Sequence, residues 1–148
     1  MPQELEKVGS KLTEAEIAAP IDTIPAVSTD ILSRHFNAQS VSISLKYYMK
    51  SCVCFSEWQN RDLKKFSSII EKIGGYTPEL LQGTYNLCVA HKGPPAAPRF
   101  RRPDNISEDI LFHELKVDSS NKARIHGFFA GSVFFLVWLD RSHACFPS

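Results

Sequence analysis

Apolar and polar residues alternate along Val41-Ser42-Ile43-Ser44-Leu45, the two-residue period of a strand, and Tyr47 and Tyr48 extend it. The period then changes. Asn60-Arg61-Asp62-Leu63 predicts a helix start, with Asn60 as cap and Asp62 in the first turn. Apolar residues at 63, 66, 69, 70 and 73 line one helical face, while Lys64, Lys65, Ser68 and Lys72 take the other. Gly74-Gly75 closes this helix, because glycine accepts the left-handed conformation at a C-terminus. Thr77-Pro78-Glu79 opens a second helix with a cap, a proline at the first position and an acid in the first turn. It runs through Leu80 and Leu81, and either frays at Gly83 or continues toward Cys88.

Residues 92–105 break both periods, with prolines at 94, 95, 98 and 103. This loop sets Arg99, Arg101 and Arg102 around Phe100. Three strands follow: Ile110 to Val117, Ala123 to Phe129 and Ser132 to Asp140. Turn chemistry at Asp118-Ser119-Ser120-Asn121 and a tight Ala130-Gly131 turn separate them. The last strand is apolar on both faces, which predicts a covered, central strand. The order β-α-α-β-β-β predicts an α+β domain over residues 41–148, a small antiparallel sheet packed by two helices.

Residues 1–40 are different in kind. Prolines at 2, 20 and 25 interrupt them and aromatics are few. Thr13 to Glu16 predicts a short helix ending before Pro20, and Ser28-Thr29-Asp30 caps another turn through Phe36. No core-building pattern emerges, so an acidic, largely mobile extension is expected. The extension holds 3 basic and 6 acidic residues, a net −3, and residues 41–148 hold 14 and 10, a net +4. A mildly basic body suits nucleic acid or an acidic partner, though a split this small also arises by chance.

Composition removes several classes. With 148 residues and 43% hydrophobic content, the chain suits a single domain with a real core. Its longest apolar run, Val133 to Leu139, is far short of the roughly 20 residues that a spanning helix needs. Met1-Pro2-Gln3-Glu4 lacks the basic start and apolar stretch of a secretory signal, so no membrane association and a cytoplasmic site are expected. The four cysteines form no disulfide framework and predict free thiols. Neither Cys52-Val53-Cys54 nor the Cys88/His91 pair has a second convincing pair of ligands, so no metal and no cofactor are expected.

Candidate chemistry gathers at the last hairpin. Arg124, His126 and Phe128 share one strand face, and Asp140-Arg141-Ser142-His143 ends the next strand. A metal-independent nuclease needs a base for the ribose 2′-hydroxyl, cations for the phosphate and an acid for the leaving oxygen. Arg124 can clamp a phosphate, and His143 can serve as acid or base. Asp140 and Arg141 complete the catalytic candidates. Lys92, Arg99, Arg101, Arg102 and His126 are candidates for holding RNA. Competing readings stand beside these: Asp140 and Arg141 as a surface pair, His126 as a hydrogen-bonded core histidine, His143 as plain surface, and the Phe/Trp stripe as core. His113 and Glu114 fall on opposite strand faces, so Glu114 contributes only by reaching another element, and His91 and His35 receive no role.

The body resembles the RelE/ParE-type toxins of bacterial type II toxin–antitoxin modules. The likeness lies in the order of elements and in two segments, Lys122-Ala123-Arg124-Ile125-His126-Gly127-Phe128 and Val133-Phe134-Phe135-Leu136-Val137-Trp138-Leu139-Asp140-Arg141-Ser142-His143. It covers about residues 41–147. In the ribonuclease branch, the resemblance implies an endoribonuclease that cleaves mRNA, free or on the ribosome, and is held by a cognate antitoxin protein. Arg124 then takes the phosphate-stabilising role and His143 the acid/base role, with Phe146 where some members carry tyrosine. A second branch implies a non-enzymatic toxin that inhibits a replication protein such as gyrase. A non-toxic interaction module is the third reading.

Overall fold

The structure, a computed structural model, describes residues 23–35, 40–117 and 122–147. Its elements in chain order are α1 (Thr29–His35), β1 (Ser42–Ser44), a short 3-10 turn (Phe55–Glu57), α2 (Asn60–Ile73), α3 (Pro78–Gln82), β2 (Cys88–His91), β3 (Phe112–Lys116), β4 (Arg124–Ala130) and β5 (Val133–Asp140). They form an α+β fold around one five-stranded sheet, ordered β1-β5-β4-β3-β2.

The pairing differs from the expected antiparallel sheet in two ways. β1 lies parallel to β5, with Ser42 opposite Val133, so the sheet is mixed. Of the two expected ends for the second helix, the chain takes the one at Gly83, and beyond it Cys88–His91 form an unexpected strand, β2, antiparallel to β3, with Val89 opposite Glu114. β1 is also shorter than the alternating run suggests: Tyr47 turns out of the strand and packs on Phe128 and Phe135, with ring centroids 5.8 and 5.5 Å away. β2 forms because the α3 C-terminus is closed at Gly83 and the chain must reverse. Thr84 does this, its carbonyl accepting from the Leu87 and Cys88 amides at 2.9 Å.

The two helix starts follow from their caps. In α2 the cap is Gln59, one residue before the predicted Asn60, and the Asp62 carboxylate accepts the Gln59 N–H at 3.1 Å. In α3 the Thr77 hydroxyl accepts the Leu80 N–H at 3.2 Å, with Pro78 in the first turn. The apolar face of α2 buries Phe66, Ile69 and Ile73. Phe66 meets Phe55 and Trp58 edge-on at 5.6 and 5.8 Å.

β4 and β5 are buried along their whole length, as a central hairpin requires. Gly131, with φ +58°, opens the two-residue turn between Ala130 and Val133 and accepts a backbone that a side chain disfavours. The ladder then slips: His126 faces Trp138 but Gly127 faces Leu136, so β5 has one residue, Val137, more than its partner strand at that point. The slip brings residues of opposite parity into one row. Ring contacts run from Trp138 to Phe112 at 4.7 Å, on to Phe128 at 5.6 Å and to Phe135 at 5.2 Å. Gly127 is required at the slip, because a Cβ there would run into the Phe135 carbonyl.

Part of the N-terminal segment, residues 23–35, is docked on the body. Val27 pairs with Ile106, and Val27, Ile31 and Leu32 are buried in the core. α1 packs against β4, and the Ser28 hydroxyl accepts the Ile31 N–H at 3.3 Å. The predicted helix near Thr13 and the 118–121 turn lie outside the described residues. Leu32→Ala should therefore cost about 2–4 kcal/mol, the usual size for a fully buried leucine. Urea denaturation measures this, and a change under about 1 kcal/mol would mean that the segment adheres without contributing core. No helix among the described residues is long and apolar enough to cross a membrane.

Candidate functional site

The sheet presents one polar face at the end of β3, β4 and β5. Glu114 on β3 lies opposite His126 on β4, and Arg124 on β4 lies opposite Asp140 on β5. Three residues converge on the Glu114 carboxylate, and a fourth, Phe146, packs on one of them. His91, from β2, places Nε2 3.2 Å from Oε1, and His143, beyond β5, places its Nε2 3.1 Å from the same oxygen. The Arg124 guanidinium lies 3.4 Å from Oε2 through Nε. Phe146 stacks flat on the His91 ring, with centroids 4.2 Å apart and planes 4° from parallel. These groups open onto a cleft of about 550 Å³, bordered also by Tyr85, Lys116 and Cys145.

Burial is uneven across this cluster. Glu114 and Arg124 are buried, whereas the His91 and His143 side chains keep 21% and 17% exposure, enough to meet a ligand in the cleft. A carboxylate only accepts, so each imidazole that donates Nε2–H to Glu114 carries its basic lone pair on Nδ1. Burial lowers the His91 pKa below its ordinary value of 6.5; the Glu114 carboxylate opposes this, and His126 and His143 add to it. His91 is therefore neutral at neutral pH.

A second, deeper pair holds the cluster in place. His126 and Asp140 are both fully buried, with Nε2 2.9 Å from Oδ2. Asp140 also accepts the Ala144 N–H on Oδ1 at 2.8 Å and the Cys145 N–H on Oδ2 at 2.9 Å. It thus folds the chain back after β5 and carries His143 over Glu114. Closing that turn places His143 at φ +58°, where histidine is seen more often than most side chains. Burial alone would raise the Asp140 pKa, but the hydrogen bonds from His126, Ala144 and Cys145 outweigh it and hold the carboxyl below its usual range.

The candidates from the sequence divide accordingly. Arg124 and His143 come together in the cleft. Asp140 sits beneath it and shapes it, out of reach of a ligand. Arg141 points elsewhere and pairs with Asp62 at the start of α2, 3.2 Å away. His126 is fully enclosed, so it cannot touch RNA and is the hydrogen-bonded core histidine of the competing reading. Arg102 donates to the Ile110 carbonyl at 2.9 Å and covers the Phe112 ring at 4.5 Å, a structural role within the loop. Arg99 lies over Phe100 at 5.0 Å, and Arg101 pairs with Asp104 at 3.6 Å across an exposed surface. Lys92 is exposed. None of these four lines the cleft.

Glu114 and His91 are the residues that sequence reasoning missed. The signal for Glu114 was a carboxylate in the interior of a predicted strand, between Phe112 and Leu115. The signal for His91 was the alternation of Val89 and His91, hidden when the segment is read as a helix tail. All four cysteines are free. Burial pushes the Cys88 thiol up to about 12 and raises Cys145 as well, which keeps both protonated and poorly nucleophilic. Among the described residues no group of three or more His, Cys, Asp or Glu is arranged to hold a metal ion. No protein-family model, no curated protein and no solved structure matches the chain.

Proposed function

We propose that this chain is the toxin of a toxin–antitoxin pair and acts as a metal-independent endoribonuclease on mRNA, with a cognate antitoxin as its protein partner. The observation that supports the reading best is the grip of two imidazoles and a guanidinium on one buried carboxylate at the mouth of a cleft. The likeness of the last hairpin to RelE/ParE-type toxins adds to it. Neutral His91 takes the proton from a ribose 2′-hydroxyl, whose oxygen then bonds to the adjacent phosphorus. Arg124 neutralises the charge that builds on the phosphoryl oxygens. The bond from phosphorus to the 5′-oxygen breaks, and His143 gives that oxygen a proton. The products are a 2′,3′-cyclic phosphate and a 5′-hydroxyl end. Glu114 touches neither reacting atom; it fixes both rings by accepting their Nε2–H groups.

Purified protein incubated with single-stranded RNA in EDTA, with and without ribosomes, tests this directly. Cleavage with cyclic-phosphate ends is the expected result. Induced expression should also arrest growth and leave cut mRNA, mapped by primer extension. Growth arrest with intact mRNA would overturn the nuclease reading and leave a non-enzymatic toxin that binds a replication protein. No growth effect together with intact RNA would leave an interaction module.

A further inference from the structure

One aromatic at the cleft has no place in the core. Tyr85 is 73% exposed, in a protein that buries most of its large rings. It is not a loose tip. The turn that carries it is tied at both ends, by the Leu87 and Cys88 amides on the Thr84 carbonyl at 2.9 Å and by the Thr84 hydroxyl on the Leu80 carbonyl at 2.8 Å. The fastened turn therefore holds the ring out to solvent at a set place beside the cleft.

Its surroundings carry positive charge. Lys116 Nζ lies 5.8 Å from the centre of the Tyr85 ring. Lys116 also stands directly opposite Arg124 across the β3–β4 ladder. Arg124 already meets the Glu114 carboxylate at 3.4 Å, and Lys116 adds a second positive charge one strand away, which suits an anion received beside them. Tyr85, Lys116 and Arg124 border the same cleft as His91, Glu114 and His143. A flat ring, a cation next to it and a second cation one strand away match what a single-stranded nucleic acid offers: an unstacked base, its phosphate and the next phosphate.

We propose that Tyr85 is a stacking platform for one base of single-stranded RNA flanking the scissile phosphate, with Lys116 holding the phosphate of that nucleotide. The inference rests on the ribonuclease reading and adds a binding and specificity residue to it. Tyr85 is remote from the reacting atoms in role: it raises affinity and sets which base is accepted beside the cut. A duplex, whose bases are already stacked on one another, gains nothing from the ring.

The test uses fluorescence anisotropy with an oligoribonucleotide made non-cleavable by 2′-methoxy groups, together with KM and kcat on the cleavable RNA. Tyr85→Ala should weaken binding by roughly 5- to 150-fold, the span measured for loss of one stacked base. It should raise KM with kcat nearly constant, and should leave the melting temperature unchanged because the ring is exposed. Tyr85→Phe should bind nearly as well as the wild type, and Tyr85→Leu should not. Lys116→Gln should flatten the slope of log Kd against log salt by about 0.7, the contribution of one phosphate on a single strand. Duplex RNA of the same sequence should bind more weakly than the single strand.

Wild-type cleavage with unaltered binding and KM in Tyr85→Ala would overturn the platform and leave the nuclease standing. Equal rescue by leucine and phenylalanine would overturn it too, because the surface would then be merely apolar, as a protein partner would prefer. Binding that depends on Tyr85 in a wild type that does not cleave would overturn the nuclease and keep the platform. A wild type that neither binds nor cleaves would overturn both.

Discussion

Arg124→Ala and His143→Ala should each slow RNA cleavage by at least about 100-fold, the usual size of one electrostatic or one acid/base contribution. The two losses differ in kind. Arg124 is a fixed cation beside Glu114, and removing it takes away charge stabilisation at every pH. It also leaves the buried Glu114 carboxylate without its guanidinium, so Arg124→Lys serves as the control that keeps a charge but loses the fork. His143 is a proton carrier, and its loss should be partly repaired by added imidazole, because the cleft gives it solvent access. His91→Ala should remove the acid limb of the pH–rate profile. That limb should fall below pH 6.5 in the wild type, because burial lowers the His91 pKa from that value. Arg141→Ala is the negative control: its partner is Asp62, away from the cleft, and a partly exposed pair contributes about 0–1 kcal/mol. Equal activity in the Arg124, His143 and Arg141 variants would exclude the cluster as a catalytic site.

The sequence made the local elements readable and left their meetings hidden. The α2 stripe, the Thr77 cap and the β4–β5 hairpin all follow from short-range chemistry, and each stands within a residue or two of its expected place. The polar cluster depends instead on pairings over long separations. Glu114 reaches His91 across 23 positions, through β2, which no period announced, and His143 across 29, beyond the end of β5. The hairpin adds a further concealment. Counting outward from the Ala130–Val133 pair, a regular ladder would set Arg124 opposite Leu139 and His126 opposite Val137. The slip at Val137 moves both by one, so that Arg124 faces Asp140 and His126 faces Trp138. Alternation alone would therefore have buried the wrong set of β5 side chains under the site. Docking of the 23–35 segment was hidden for another reason. Its three core residues, Val27, Ile31 and Leu32, follow one short turn and show no repeated period.

Asp140→Ala should destabilise the fold by about 3–5 kcal/mol, the loss expected when one member of a buried, hydrogen-bonded pair is removed. Asp140 is fully buried and satisfies three donors: the His126 ring and the Ala144 and Cys145 amides. Without the carboxylate all three lose an acceptor, and the His126 ring already has no hydrogen-bond partner for Nδ1 among the described residues. Asp140→Asn keeps the shape but offers one acceptor oxygen in place of two, and its NH₂ faces a donor, so it should recover only part of the loss. The pH dependence carries the sign of the charge. The folded pKa of Asp140 lies below its ordinary 3.8, so its stabilisation is complete above that value and is lost as pH falls through the folded pKa. Urea denaturation from pH 7 down to pH 2 should show stability dropping below about pH 4 in the wild type, and a shallower drop in Asp140→Asn. The same substitution should loosen the turn that holds His143 at its positive φ, so cleavage should fall even under conditions where the variant remains folded. A destabilisation under about 1 kcal/mol, with an unchanged acid slope, would show that the turn after β5 is held by something other than this carboxylate.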